Sequence, residues 1–365
     1  MQDGQNLESN TTPLGPHMPT ASIATLKRRA HLLKRLRTFF DARGYWEVET
    51  PLLSHDVIVD AHLEPFRVPV GQAAEPGDEP AAGLMYLQTS PEAGMKRLVA
   101  AGADSIYQIT RALRQGECGR YHNPEFTMVE WYSVGDTHHD QMQFVEDLVV
   151  DIFRAASALS EEKSRTAPAT DTSRAGTPEI PFARLTYDEA FERSIGSRVL
   201  DKSAAELADL ARQQDITPPS GLSFDDRDGW LNLILAERVE PKLGRDRPVF
   251  VYDYPGTQAA LARVRHDERP AVAERFELYV RGIEVCNGYH ELTDAKELRR
   301  RIEQQTQLRA ALGTPPLPSA NRLLDAMDAG LPACSGVALG FDRLVMLALN
   351  AKSLADVMAF PFDRA

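Results

Sequence analysis

The sequence predicts an α+β fold in which helices flank an antiparallel sheet. Residues 111–132, RALRQGECGRYHNPEFTMVEWY, read as two extended arms joined by a polar, glycine-containing loop, a hairpin with a long tip. Residues 274–292, ERFELYVRGIEVCNGYHEL, read as a second hairpin whose two-residue turn is Arg281-Gly282. Segments of helical period lie before and between these hairpins.

The chain of 365 residues is long enough to bury a full core, and its 43% apolar and 26% charged content is that of a soluble globular protein. A formal charge of -12 argues against nucleic acid, whose binders cluster Lys and Arg. Cys118, Cys286 and Cys334 are odd in number and lack a CxxC pattern, so they imply neither a disulfide framework nor a zinc site and fit a reducing cytoplasm. The N-terminus has no basic region followed by an apolar one, which excludes a signal peptide, and no apolar run is long enough to span a bilayer.

In chain order, residues 1–21 read as a disordered leader rich in Gly, Pro, Asn and Thr, and residues 22–365 as one domain. A helix is expected over 23–43, with Leu26, Leu32, Leu33, Leu36, Phe39 and Phe40 as its apolar stripe, and a strand over 45–50 stopped by Pro51. Residues 71–83 read as a flexible insert. In QTSPEAGMKRLVAAG, Ser90 can cap a helix, Pro91 suits its first position and Glu92 its first turn, so Glu92 has a plain role as a helix-dipole carboxylate. On the second arm of the first hairpin, alternation sets Phe126, Met128, Glu130 and Tyr132 on one face and Thr127, Val129 and Trp131 on the other. That first face, below a loop carrying Arg114, Glu117, Arg120 and His122, suits either a pocket for a base, a phosphate and an amine, or a solvated hairpin face.

A helix is expected over 141–156, a Ser/Thr/Ala/Pro-rich loop or insert over 157–180, mostly helix over 186–243 and a short strand over 249–254. In the second hairpin a two-residue turn sets Tyr279 opposite Glu284, with Glu277 and Glu284 diagonal on one face. Two such carboxylates are either solvated on an outer sheet face or bridged by a cation, and Mg²⁺ takes one or two carboxylates plus phosphate oxygens. Asn287, Tyr289 and Glu291 follow at alternating positions. Residues 294–312 form a charged helix, and CSGVALGFDRLVMLALN a small-residue strand running into an apolar helix. There Ala338 and Gly340 leave room for a ligand, and Arg343 can either pair with an acid or stack on a base. No GxxxxGK[ST] loop, HExxH or strand-borne GxGxxG occurs, so a nucleotide would lie on a sheet face.

Taken together, the helix and strand ending at Pro51, the stretch from Arg114 to Tyr132 with HNPEF, and GVALGFDR resemble the three signature motifs of class II aminoacyl-tRNA synthetases. Within that class the chain is similar to the lysyl enzymes, and above all to their smaller paralogues that ligate lysine to elongation factor P. The resemblance runs from about residue 22 to the C-terminus. Such paralogues lack the anticodon-reading OB-fold, and the roughly 20 residues before motif one are too few for a five-stranded barrel.

The resemblance implies a class II synthetase core, ATP and Mg²⁺ as cofactors, a cytoplasmic homodimer, and elongation factor P in place of tRNA as acceptor. It assigns Arg114 to the amino-acid carboxylate and α-phosphate, and makes Arg114 and Arg343 the catalytic arginines. His122, Asn123, Phe126 and Glu284 join them around ATP, with Arg343 across the adenine from Phe126. Glu277 and Glu284 are assigned to magnesium. Ser90 and Glu92 go to the α-amine side of the substrate; Glu130, Tyr132 and Glu291, beside Asn287 and Tyr289, go to its ε-ammonium.

Two positions depart from the lysyl pattern. Gly116 stands where those enzymes have glutamate, and Glu117 is expected to take over that contact with ATP. Ala338 stands where they have glycine, a change associated in the family with (R)-β-lysine; one methyl in a packed pocket shifts preference by about 1–3 kcal/mol. The rival readings are a truncated lysyl-tRNA synthetase acting on tRNA, an ATP-dependent ligase of a small molecule, and a catalytically silent binding module. Retention of Arg114, Glu277, Glu284 and Arg343 together argues against the last.

Overall fold

The computed structural model of the chain describes residues 15, 17–61, 63–71, 82–164, 176–267 and 269–365. Most of the expected leader, and the centres of both expected inserts, lie outside these residues.

Helix α1 (Ile23–Asp41) starts where Ser22 accepts the Thr25 N–H and ends before Gly44, whose φ of 78° suits glycine. The strand expected over 45–50 shortens to β1 (Trp46–Glu47), because the chain turns away after Val48 N–H donates to the Tyr107 carbonyl and Pro51 offers no donor. A small sheet follows, of β2 (Leu53–Ser54), β3 (Arg67–Gly71) and β4 (Ala82–Leu87), with β4 central. Gly71, Ala82 and Gly83 are therefore paired strand ends and not part of an insert. Helix α2 (Glu92–Ala100) has Pro91 as its N-cap, one residue later than expected, and Ser90 Oγ accepts the Glu92 N–H.

Strands β5 (Ser105–Leu113) and β6 (Glu125–Val134) are the arms of the first hairpin. Helix α3 (His138–Ser164) extends past the expected 141–156 at both ends, so residues 157–164 are helix and not loop. Once nucleated by the buried stripe Met142, Val145, Val149, Ile152, Phe153 and Ala156, a helix lengthens at little cost, and Leu159 packs on the same core. Next come β7 (Ala183–Thr186), α4 (Tyr187–Ile195), α5 (Ala204–Gln213), α6 (Arg227–Ile234), β8 (Val249–Pro255) and β9 (Val264–Arg265). Both α4 and α5 open with capping boxes, Thr186 with Glu189 and Ser203 with Glu206. The second hairpin is β10 (Val272–Val280) and β11 (Ile283–His290); α7 (Ala295–Ala311), α8 (Asn321–Gly330), β12 (Cys334–Gly340) and α9 (Phe341–Ala348) complete the elements.

The large sheet runs β1-β5-β6-β12-β11-β10-β8-β7, with β9 beside β10. It is antiparallel as expected, except at its two ends, where β1 pairs with β5 and β7 with β8 in parallel. One face carries Val129, Trp131, Phe276, Leu278, Val337 and Leu339 against α1, α3 and α9. Each such side chain contributes about 1.5–3 kcal/mol by leaving water. The other face is where polar side chains collect.

A β-bulge decides which residues of β11 reach that polar face. Val280 pairs with Ile283 and Tyr279 with Glu284, as a two-residue turn requires, but Leu278 then pairs with Cys286 and Glu277 with Asn287. Val285 is the extra residue, and it and Cys286 both point into the core. Strict alternation would set Glu284 on the face opposite Asn287; the bulge brings both to the same side.

Candidate active site

The polar face of the large sheet floors a cavity of about 1560 Å³, large enough for a nucleotide and an amino acid together. Two rows of residues cross it at right angles to the strands. One is Glu130, Ala338, Asn287 and Glu277; the other is Tyr132, Gly336, Tyr289 and Arg275. Four strands at about 4.8 Å spacing separate the ends of a row by roughly 14 Å.

At one end the side chains form a buried acid cluster. Glu130 and Glu291 are each 2% exposed, and so is Lys96, which is not among the residues assigned from the sequence. Lys96 Nζ lies 2.5 Å from Glu92 Oε1 and 2.6 Å from Glu291 Oε2. The Tyr132 hydroxyl donates to Glu130 Oε1 at 2.7 Å. Asn287 Nδ2 donates to the Tyr289 hydroxyl at 3.0 Å. Two buried acceptors, Glu130 Oε2 and Asn287 Oδ1, have no donor among the described residues.

The electrostatics follow from three carboxylates facing one ammonium. Burial, followed by the charge of Glu92, pushes Glu130 up to about 8, and burial raises Glu291 to about 7 against the pull of Lys96. Burial alone would lower Lys96; Glu291 and Glu92 more than offset it and hold the lysine charged. The cluster is therefore short of positive charge.

Gly336 makes this arrangement possible. A Cβ there would lie 2.4 Å from Glu291 Oε1 and 2.4 Å from the Tyr132 ring. The small-residue strand suggested room at Ala338 and Gly340, but the closest approach is at Gly336, which pairs between Tyr132 and Tyr289.

Two arginines mark the other end. Arg343, the third residue of α9, donates to the Tyr121 carbonyl at 3.0 Å, to the Glu284 carbonyl at 3.0 Å and to Glu284 Oε2 at 3.2 Å. It also meets His122 Nε2 at 2.7 Å. Burial and the Arg343 charge lower the His122 pKa, so the imidazole is neutral and accepts this bond. Arg114 donates to the Thr89 carbonyl at 3.2 Å, lies over the Phe126 ring at 5.2 Å and reaches Glu117 at 3.6 Å. Gly116 has φ of 85° and turns the loop so that Glu117 faces Arg114.

Of the residues assigned from the sequence, Ser90, Glu92, Arg114, Glu117, His122, Asn123, Phe126, Glu130, Tyr132, Glu284, Asn287, Tyr289, Glu291, Ala338 and Arg343 line this one cavity. Glu277 is not in the lining. Its carboxylate is bound by Arg275 at 2.5 Å and by the Tyr279 hydroxyl at 2.6 Å. Asn123 lines the cavity, yet its side chain donates to the Glu125 carbonyl and accepts the Phe362 N–H, so it braces the loop.

Sequence reasoning missed Lys96, Arg275 and Glu240. The spacing from Glu92 to Lys96 is a signal that was present, since residues four apart meet on one helix face. Arg275 shares the face of Glu277 two residues on. Glu240 follows the π-turn Leu235–Val239 and no motif marks it. It accepts from Tyr279 at 3.2 Å, and burial, then Glu277 and Glu284, raise it to about 7. Burial and Glu277 raise Glu284 as well. Glu240 and Glu284, each raised by burial and by the neighbouring Glu277, with Glu284 39% exposed, make an oxygen-rich corner that suits a hard divalent cation.

The comparisons with known proteins fit this geometry. The family model for tRNA synthetases class II (D, K and N) matches residues 18–364. Proteins named elongation factor P–(R)-β-lysine ligase from Salmonella arizonae, Salmonella dublin and Salmonella paratyphi B are each 43% identical over 347 residues, spanning 95% of this chain and 98% of theirs. With both the match and the motifs running nearly end to end, the chain belongs to the class II tRNA synthetase family of the D, K and N type.

Proposed function

We propose that the chain is an ATP-dependent ligase that activates lysine, as (R)-β-lysine, to an acyl-adenylate and passes it to a lysine side chain of elongation factor P. The observation that carries this reading is the acid cluster: two buried carboxylates and the half-buried Glu92 to one ammonium, with two acceptors left without donors among the described residues. An amino acid with two ammonium groups supplies the missing charge. The 43% identical relatives, named as ligases of elongation factor P and (R)-β-lysine, support the choice of acceptor and isomer.

In the first step the amino-acid carboxylate attacks the α-phosphorus of ATP and pyrophosphate leaves. Arg114 spans the carboxylate and phosphoryl oxygens and offsets the charge that builds there. Phe126 and Arg343 hold the adenine between a ring and a guanidinium plane. Glu130, Tyr132 and Glu291 fix the distal ammonium, with Glu92 and Ser90 at the near one. A Mg²⁺ ion held by Glu284, with Glu277 and Glu240 behind it, would supply further charge neutralisation on the phosphates. In the second step the neutral amine of the acceptor lysine attacks the adenylate carbonyl; an amide forms, AMP leaves and the amine gives up its proton. Positioning supplies much of the rate for both steps.

Ala338 sits between Glu130 and Asn287 in the row that would face the substrate backbone, and its methyl favours the β-amino isomer. The reading includes a cytoplasmic homodimer. Among the described residues no helix is long and apolar enough to cross a membrane. The test is to incubate the protein with ATP, each lysine isomer, and either elongation factor P or tRNA. The expected result is a mass gain of one lysine residue on elongation factor P, larger with (R)-β-lysine; label on tRNA alone overturns the reading.

A further inference from the structure

On the face of the large sheet opposite the cavity, three polar side chains from three elements converge. His138 is the first residue of α3, Glu274 lies near the start of β10, and His290 ends β11. Each offers a donor atom, and the three donors lie within 4.8 Å of one another. His138 is 2% exposed, and among the described residues neither of its ring nitrogens has a hydrogen-bond partner. Leaving both unpaired in the interior costs free energy that an apolar residue would not. His290 Nδ1 meets Glu274 Oε2 at 2.5 Å, and the His138 and His290 rings lie nearly parallel, 6.4 Å apart.

We propose that His138, Glu274 and His290 bind one divalent transition-metal ion of the zinc type. Two imidazoles and a carboxylate form a three-ligand set that zinc takes, with a fourth position left for water. Bonds of about 2.0–2.1 Å in a tetrahedron bring donors to roughly 3.3 Å, so the side chains close by small rotations. Binding uses His290 as a neutral imidazole, with Nδ1 on the ion and the ring proton on Nε2. Neighbouring charges permit this. Arg265 is engaged by Asp253 at 3.0 Å and Asp267 at 3.5 Å; Arg263 touches Glu274 only at 3.8 Å; Asp140 adds a negative charge in the first turn of α3. His139, exposed and tilted 35° against the His138 ring with centroids 4.1 Å apart, stands at the rim of the site.

Such an ion would pin α3 to the back of the hairpin whose front carries Arg275, Glu277, Asn287 and Tyr289. It stabilises the fold and takes no part in the reaction, so it stands or falls independently of the proposed activity. The experiment strips the full chain with chelator, adds Zn²⁺ alone, and counts bound metal by mass spectrometry against a chromogenic chelator. One equivalent is expected, together with a rise in Tm. His138→Leu, which fills the same space without nitrogens, and His290→Gln should each weaken zinc binding by more than about 100-fold, beyond the 10–100-fold that losing a supporting hydrogen bond costs. Both should keep lysine-dependent pyrophosphate exchange. If one variant fails to fold, the other carries the test, with Glu274→Gln beside it. No bound zinc, or zinc retained equally by the variants because it sits at Glu284, overturns the proposal.

Discussion

Glu291 and Glu130 face the same deficit of positive charge and answer it differently. Glu291 shares Lys96 with Glu92, whereas Glu130 has only a tyrosine hydroxyl. Glu291→Gln leaves the site unable to hold a second ammonium, and lysine-dependent pyrophosphate exchange should fall at least about 100-fold, equivalent to about 3 kcal/mol. Unchanged exchange would remove Glu291 from the amine site. Glu130 predicts a pH signature. Its pKa is raised from 4.5 to about 8, so between those values the native state keeps a proton that the unfolded chain has released, and stability falls as pH rises through that window. The Tm of the ligand-free protein should therefore drop more steeply from pH 5 to 8 in the wild type than in Glu130→Gln. Binding of a dibasic amino acid near pH 7 should expel the Glu130 proton, seen as a buffer-dependent heat in calorimetry that Glu130→Gln lacks. Lys96→Met leaves two carboxylates facing each other without a cation, which costs about 3–5 kcal/mol; a normal Tm in that variant would contradict the charge accounting.

The elements show why much of this was legible beforehand and some was not. Alternation along residues 125–134 sorted Glu130 and Tyr132 from Val129 and Trp131, because a strand between a core and a cavity has to alternate. In β11 a bulge changes the parity and no residue type announces it, yet the two-residue turn already set Glu284 opposite Tyr279, and Asn287, Tyr289 and Glu291 line the cavity as their spacing expects. Helix α3 outran its expected end because composition resembled a loop while propagation favoured helix. Lys96 was hidden by its setting between Met95 and Val99, where a lysine reads as an interruption of a stripe. Cap chemistry also carries function. Asp342, in the first turn of α9, accepts the Thr127 N–H at 2.7 Å and pairs with Arg29 at 2.5 Å, which ties α9 to β6 and α1 and so sets Arg343. Asp342→Ala should raise the KM for ATP and lower stability by about 3–5 kcal/mol. A stability loss with an unchanged KM would show that Arg343 is positioned by other contacts.

At the scale of the molecule, the floor of the cavity is one sheet, but its walls come from separate packing groups. Arg275 stands beside the cluster of α4–α6, Glu92 on α2 beside the cluster with α8, and Arg343 on α9 over the main core. A ligand that touches all three joins them, so lysine and a non-reacting ATP analogue together should raise Tm by more than either alone. At 100 times Kd a single ligand adds about 2.7 kcal/mol. Glu291→Gln should remove the lysine share of that gain. The cavity also has depth: Glu130 and Glu291 are nearly sealed at its floor, while Glu284 stays 39% open beside Arg343. A nucleotide seated above the cluster would lie across the route to it. On the proposed reading the amino acid enters first, so preincubation with the ATP analogue should slow lysine association, whereas preincubation with lysine should leave nucleotide association as fast as before.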